Sequence, residues 1–436
     1  MRRKCTGTPA KWRAHHVYKG KQALYRLPAV PGQIPSARQN KTPIVRRCPA
    51  PFGTIIIAIS QPRDFFSARR KIHEKINMSR NSSIDIAKGV GILLVVIGHN
   101  WILTHAPSVG ERIIYSFHMP LFFLLGGVFL NPTQRFANFI HARADTLLKP
   151  YAVVLTLLGA YKVIIGATTP SQYFPGVLYG AGSTIEWGQM WFLPSLFITL
   201  LFCWTLLNLL REERYQSIGL IGIIVALFML GAAATPTYRS LSSADSRLLS
   251  VIFASNTEIQ GLPFSLDLLP ISAAFLLLGY SFRMQIRQAK FQPRCIIAAM
   301  IIFTACHLVF DDQLDLNGRL YGNWLATPLR ALTGIYIVLS LSTLITHYPA
   351  VARPLTYLGK ASLFILIFHG YVEWAVFNKL ASWSRYNKYF IAVTTLIGGI
   401  ALPVILFEMS KRVAPMSRLL MHTGSHRQAI SKAEAP

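Results

Sequence analysis

Ten apolar segments of 17–23 residues follow one another between residues 84 and 408, and no other feature of this sequence restricts its fold so tightly. They run approximately over 84–104, 112–130, 149–167, 190–210, 217–235, 265–284, 294–310, 326–346, 355–377 and 389–408. A hydrocarbon core ~30 Å thick needs about 20 apolar residues in a helix to cross it. Lipid offers backbone N–H and C=O groups no partner, so segments of this kind have to be helices. The expected fold class is an all-α membrane protein, a bundle of about ten transmembrane helices.

Composition supports that class. Hydrophobic residues make up 52% of the chain and charged residues only 14%, against about 25% charged in soluble domains. The net charge of +27 looks like a nucleic-acid signal until it is divided. Residues 1–80 hold 18 of the 44 Lys and Arg with only Asp64 and Glu74 against them, so 18 − 2 = +16 sits there. The other 356 residues carry 26 − 15 = +11, which belongs to membrane-flanking loops, and no nucleic-acid partner is expected. Cys5, Cys48, Cys203, Cys295 and Cys306 form no C-x-x-C pair, and the spans carry no H-x-x-x-H or H-x-x-E spacing. Neither a disulfide framework nor a metal site is expected.

Residues 1–80 are read as a basic, disordered extension without helical or strand period. Such a tail suits an anionic-lipid arm or a transit segment. The preferred reading is that translation begins at Met78 and that the tail has no function. A polytopic domain over 81–410 and a basic tail over 411–436 complete the expected organisation. With the N-terminus placed in the cytoplasm, inner loops and the C-terminal tail hold fifteen Lys and Arg, and outer loops and ends hold seven. That bias puts both termini in the cytoplasm of an inner-membrane, multi-pass protein.

Ionisable residues inside spans are costly and mark function by default. The first span carries Asp85, Lys88 and His99. At ~100° per residue Lys88 and His99 share a face, ~16 Å apart along the axis, and Asp85 falls about 40° from His99. One face thus joins an ion pair near the cytoplasm to an imidazole deep towards the exterior. Counting ~1.5 Å per residue, His99 and His369 lie about 22 and 21 Å above their inner helix starts, and His118 lies about 9 Å below the outer surface. All three are expected in one layer, which approaches Asp267 and Arg330 at the outer ends of the sixth and eighth spans. A membrane histidine ordinarily serves as an interhelical hydrogen-bond donor, and that reading applies first to His118 and His369. In the loop after the second span, residues 136–151 read as an amphipathic helix ahead of a span begun by Pro150, with Arg143 on the side of Lys88. Fixed cations beside a bundle opening suit phosphate groups.

At these residues the sequence resembles a known family. The stretches I-D-I-A-K-G-V-G-I-L-L-V-V-I-G-H (84–99), S-F-H-M-P-L-F-F-L-L-G-G (116–127), R-A-D-T-L-L-K-P-Y (143–151), W-F-L-P-S-L-F (191–197), L-P-F-S-L-D (262–267), L-L-L-G-Y (276–280) and L-G-K-A-S-L-F-I-L-I-F-H (358–369) resemble the integral-membrane acyltransferase family 3, in its fucose 4-O-acetylase-like branch. The resemblance covers residues 82 to about 408 in family order and leaves the first 80 residues without a counterpart.

The resemblance implies transfer of an acyl group, usually acetyl from acetyl-CoA as co-substrate, to a hydroxyl of a sugar or surface glycan. It also implies an essential basic residue followed, after ten intervening residues, by a histidine: Lys88 and His99. Much of the family has Arg at the first position, and Lys keeps the charge while losing the bidentate fork. Arg143 matches the family's arginine after the second span. On this reading His99 is general base or acyl carrier, Asp85 its catalytic partner at the helix start, and Lys88 with Arg143 bind the donor. His118, His369, Asp267 and Arg330 are candidates for the acceptor site or its support. The competing reading is a ten-helix secondary transporter, for which no internal repeat of the first span is evident.

Overall fold

The computed structural model describes residues 82–100, 109–210, 216–239, 241–242, 258–382 and 387–421. The basic extension expected over 1–80 lies outside the described residues, as does the end of the C-terminal tail. Helix α1 is Ser82–His99. It is followed by α2 Val109–Tyr115, α3 His118–Val128, α4 Phe136–Arg143, α5 Lys149–Ile164, α6 Pro170–Tyr179, α7 Phe192–Leu209 and α8 Gln216–Thr237. A two-residue antiparallel pair, β1 Leu241–Ser242 with β2 Glu258–Ile259, precedes α9 Leu269–Ser281, α10 Arg283–Arg287 and α11 Pro293–Val309. The described chain ends with α12 Ala326–Ile345, α13 Pro349–Ala381, α14 Lys388–Arg412 and α15 Ala414–Leu420. The protein is an all-α membrane protein.

Eight of the described helices are long and apolar enough to cross a membrane. Two of the ten expected spans differ from that standard. The helix over 294–310 is Pro293–Val309, 17 residues and just short. The segment over 112–130 is two helices, α2 and α3, broken at Ser116 and Phe117. Pro120 is the cause: it has no N–H for the Ser116 carbonyl, and its ring clashes there. Two carbonyls of the turn before the break, those of Ile113 and Ile114, accept from side chains instead. Ser116 Oγ donates to Ile113 O at 2.7 Å, and His118 Nδ1 donates to Ile114 O at 2.9 Å. The amphipathic helix expected over 136–151 is present and runs straight into the span, giving continuous helix from Phe136 to Ile164 with one π-helical turn over Ala144–Leu148. Pro150 cannot bond the Thr146 carbonyl, and a wider turn absorbs the fault.

Between helices in lipid there is little hydrophobic drive, so association rests on close backbone contact through small residues. Two reciprocal glycine contacts do this here. A Cβ on Gly127 of α3 would strike Leu276 O of α9, and one on Gly279 of α9 would strike Leu124 O of α3. In the same way Gly89 of α1 abuts Leu355 O of α13, and Gly359 of α13 abuts Asp85 O of α1. Both glycines of the second pair lie ten residues before a histidine, His99 and His369, whose ring centroids are 5.3 Å apart. Helices α1 and α13 therefore run parallel, in register, from glycine pair to histidine pair.

A Gly89→Leu substitution is expected to destabilise the protein by about 1–3 kcal/mol through overpacking, because the obstacle is backbone. Gly219 has open space around its Cβ position, so Gly219→Leu should leave the thermal unfolding midpoint in detergent where it is. Equal midpoints for the two variants would refute the glycine contact.

Candidate active site

At the glycine end of α1, Lys88 Nζ lies 3.6 Å from Asp85 Oδ1 and 4.6 Å from the centroid of the Phe129 ring. Asp85 is fourteen residues before His99, about 21 Å along the helix, so it holds Lys88 and stays far from the imidazole. Arg287 approaches Phe129 as well, its Cζ 5.6 Å from the centroid, while its Nη2 donates to Val128 O at 2.9 Å. Arg143, at the end of α4, lies 5.5 Å over Phe139, which stacks in turn on Trp204 at 5.8 Å. The buried Nε of Arg143 has no hydrogen-bond partner among the described residues. Lys88, Arg143, Thr146 and Ser362 line a cavity of about 560 Å³ whose other walls are apolar, including Ile92, Phe122, Leu196 and Leu366. Lys149 is committed elsewhere, to Asp145 Oδ1 and to Met421 O, both at 2.5 Å.

At the other end of α1 the three histidines meet. The His99 ring is 5.3 Å from His369 and 6.1 Å from Tyr115, and Tyr115 is 4.9 Å from His118. His118 and His369 are buried; His118 gives its Nδ1–H to a carbonyl of the preceding helix α2, and His369 gives its own to carbonyls of α13. The His118 bond is to Ile114 O at 2.9 Å, and His369 bonds Ile365 O at 2.8 Å and Leu366 O at 3.0 Å. A carbonyl accepts only, so both rings carry their proton on Nδ1 and present a bare Nε2. The His99 ring makes no such commitment among the described residues, and it is exposed to open space.

That space is three chambers around one imidazole. The first, about 250 Å³, is lined by His99, Tyr115, His118, Gln189, Asp315 and Asn317 among others, and Leu366 is part of its wall. Leu366 thus belongs both to this chamber and to the Lys88–Arg143 cavity. The second, about 430 Å³, is bounded by His99, Glu186, Trp187, Gln189, Tyr371 and Trp374. Trp187 stacks on Tyr371 at 5.1 Å and 28°, and Glu186 is paired with Lys162 at 2.5 Å. The third, about 100 Å³, joins His99 to Glu373, Thr395 and Trp374.

Asp267 and Arg330 line none of these chambers. Asp267 takes Arg319 Nε at 3.0 Å and Nη2 at 3.3 Å, and both side chains are fully buried. Leu262 N also donates to Asp267, at 2.8 Å, and Ser265 Oγ accepts from Arg319 Nη2 at 3.0 Å. Arg330 is bound to the Asp312 carboxylate and, at 2.9 Å, to Asp312 O. The work of the Asp267–Arg319 pair is to fix a loop. Phe264, Ser265 and Arg319 have left-handed φ of 53°, 57° and 54°, a conformation non-glycine residues avoid unless held there. Gly261 makes the room: its φ is +86°, and a Cβ would strike the Arg319 guanidinium. Burial raises the Tyr179 phenol beside this pair above its ordinary range; Asp267 adds to the rise and Arg319 opposes it. So held, the segment 314–317 carries Asp315 and Asn317 onto the wall facing His99.

Sequence reasoning did not find Asp315, Asn317, Gln189, Tyr115 or Glu373. Four of them had no legible signal, being polar residues in connections or at a helix end. Glu373 had one: it is a carboxylate inside a span, four residues after His369.

A family model, Acyl_transf_3 (Acyltransferase domain), matches residues 81–408. The chain belongs to acyltransferase family 3. Comparison with curated proteins and with solved structures returns no match. Family membership and eight membrane-length helices among the described residues make the protein a multi-pass membrane acyltransferase.

Removing one member of the buried pair should be worse than removing both. Asp267→Ala strands Arg319 and is expected to cost about 3–5 kcal/mol. The double variant Asp267→Ala/Arg319→Met should recover part of that in thermal unfolding. A double variant as unstable as the sum of the singles would contradict the clamp.

Proposed function

We propose that this acyltransferase moves an acetyl group from acetyl-CoA to a hydroxyl of a sugar or surface glycan, with His99 as the reacting imidazole. The observation that carries the reading is Leu366, a wall common to the cavity of Lys88 and Arg143 and to the chamber of His99. The donor's phosphates bind Lys88 and Arg143, whose buried Nε lacks a partner among the described residues. Its extended acyl arm follows the apolar cavity past Leu366 and brings the thioester to His99, ~16 Å along α1 from Lys88. Lys88 contributes a point charge where an Arg would contribute a fork.

The acceptor enters from the chamber of Trp187 and Tyr371, whose stacked rings suit the apolar face of a sugar. Its hydroxyl oxygen attacks the thioester carbonyl carbon as His99 takes the hydroxyl proton. The carbon–sulfur bond then breaks, the proton passes from His99 to the leaving thiolate, and acetyl ester and free CoA result. Should the acetyl group instead rest on His99, the same ring is the carrier. Gln189 gives one amide hydrogen to Ile367 O at 3.2 Å and keeps the other for the thioester oxyanion. His118 and His369 support the His99 ring, and Asp85 steadies Lys88. The excess of loop cations beyond Lys88 and Arg143 supports a cytoplasmic position for that end and both termini in an inner-membrane protein, with the acceptor chamber on the far side.

His99→Ala should lower label transfer from radioactive acetyl-CoA in membranes by about 10²-fold or more, with insertion and expression unchanged. Lys88→Ala should instead raise the KM for acetyl-CoA by about tenfold. Transfer at the normal rate by the His99 variant would falsify this reading.

A further inference from the structure

Glu373 lies on α13 one helical turn beyond His369 and is 4% exposed, its carboxylate beside the Asn100 side chain and otherwise short of partners among the described residues. A carboxylate at that depth is costly and persists where it faces a partner or a cavity. Asn100 cannot satisfy both oxygens, because its amide nitrogen also donates to Ala392 O and Thr395 Oγ1, each at 3.0 Å. What Glu373 does face is the chamber of about 100 Å³ that has His99 on its wall.

Waters take ~30 Å³ each in the liquid and need two to four polar partners, so this volume suits a few of them. Two carboxylate oxygens, the Thr395 hydroxyl and one nitrogen of His99 supply those partners. The side chain also has a place made for it. On α14, Gly399 is opposite, where a Cβ would come within 2.8 Å of Glu373 Cγ. The same glycine would crowd Val96 of α1 at 3.2 Å, so the gap that admits Glu373 is continuous with the helix bearing His99.

We propose that Glu373 is the positioning residue of His99, holding one imidazole nitrogen through water in this chamber while the other nitrogen faces donor and acceptor. The proposal rests on the reading of His99 as the reacting imidazole. No substrate bond changes at Glu373. The acceptor proton still passes to His99 and on to the thiolate, and the carboxylate fixes which nitrogen carries the resting N–H and supports the imidazolium while it lasts. His369 stays out of this exchange because its Nδ1–H is bound to its own helix.

The test uses the full-length protein in detergent and Glu373→Gln, which keeps shape and removes the carboxylate. Diethyl pyrocarbonate labels imidazoles, and labelling at each histidine is followed by peptide mass spectrometry at pH 7. In Glu373→Gln the rate at His99 should fall about threefold or more, because the ring loses the acceptor that orients it and enriches its free nitrogen. The rate at His347, exposed beyond the far end of α12, should not move. In membranes, acetyl-CoA turnover should fall roughly 10- to 100-fold, with the KM for acetyl-CoA within about twofold. Glu373→Asp keeps a carboxyl group, lets another water fill the gap and should retain most of the labelling rate. Unchanged labelling of His99 in Glu373→Gln overturns the proposal, whatever its turnover. Transfer that survives His99→Ala sinks the catalytic reading and leaves the labelling answer intact, so the two failures are told apart.

Discussion

The contact of Gly89 with Leu355 and of Gly359 with Asp85 decides where everything else in the site lies. In lipid, two helices gain from touching only as far as their surfaces fit, and glycine lets backbones come within reach of each other. A pair of such contacts, one from each helix, sets distance and register together. Because α1 and α13 are parallel and rise by the same amount per residue, register at the glycines is register ten residues later. That is where His99 meets His369 at 5.3 Å. The same contact holds the α1 backbone at Asp85, beside Lys88, so the cation and the imidazole are referred to one fixed pair of axes.

Around that rigid pair, irregular backbone is confined to places where polar side chains complete it. At the break before Pro120 the carbonyls of Ile113 and Ile114 accept from Ser116 and His118, and the break turns the Tyr115 and His118 rings toward His99. The left-handed turns at Phe264, Ser265 and Arg319 are held by a buried ion pair in which each polar atom named has a partner. A buried ion pair is poor value as a stabiliser, since desolvation consumes most of the Coulombic gain. Its worth here is conformational: it fixes a connection that would otherwise be free to move, and that connection carries Asp315 and Asn317. A short polar loop between α11 and α12 becomes a wall of the histidine chamber by this means.

How much of this was legible in the sequence depends on whether the quantity ran along a helix or between helices. Apolar length gave the spanning segments, and a fixed rise per residue gave the common depth of His99, His118 and His369. It gave no neighbours: Asp267 and Arg330 share the approximate depth of the histidines, yet each is bound to a partner in the α11–α12 connection. The faults at Pro120 and Pro150 were hidden by apolar runs that continue through them, because hydropathy registers side chains and a missing N–H changes only the backbone. Gly89 and Gly359 are two among 29 glycines, and only three-dimensional contact separates them from Gly219 or Gly222. Glu373 could have been read, since a carboxylate in a span asks for an explanation wherever it stands.

The tautomers of the three histidines separate their roles more sharply than their positions do. His118 and His369 each bind a main-chain carbonyl through Nδ1, and a ring so bound cannot release that proton without giving up the bond to the carbonyl. Each is limited to offering Nε2 as an acceptor. His99 alone of the three has neither nitrogen committed to a described residue, and it opens onto all three chambers. A ring that is to take a proton from one molecule and return it to another needs one nitrogen free for the exchange and a reversible hold on the second. Water between His99 and Glu373 supplies a hold of that kind, whereas a bond to the helix backbone would lock the ring. Of the two flanking histidines, His118 lines the first chamber and turns a bare Nε2 towards whatever N–H or hydroxyl enters it, while His369 packs against His99 from within the bundle.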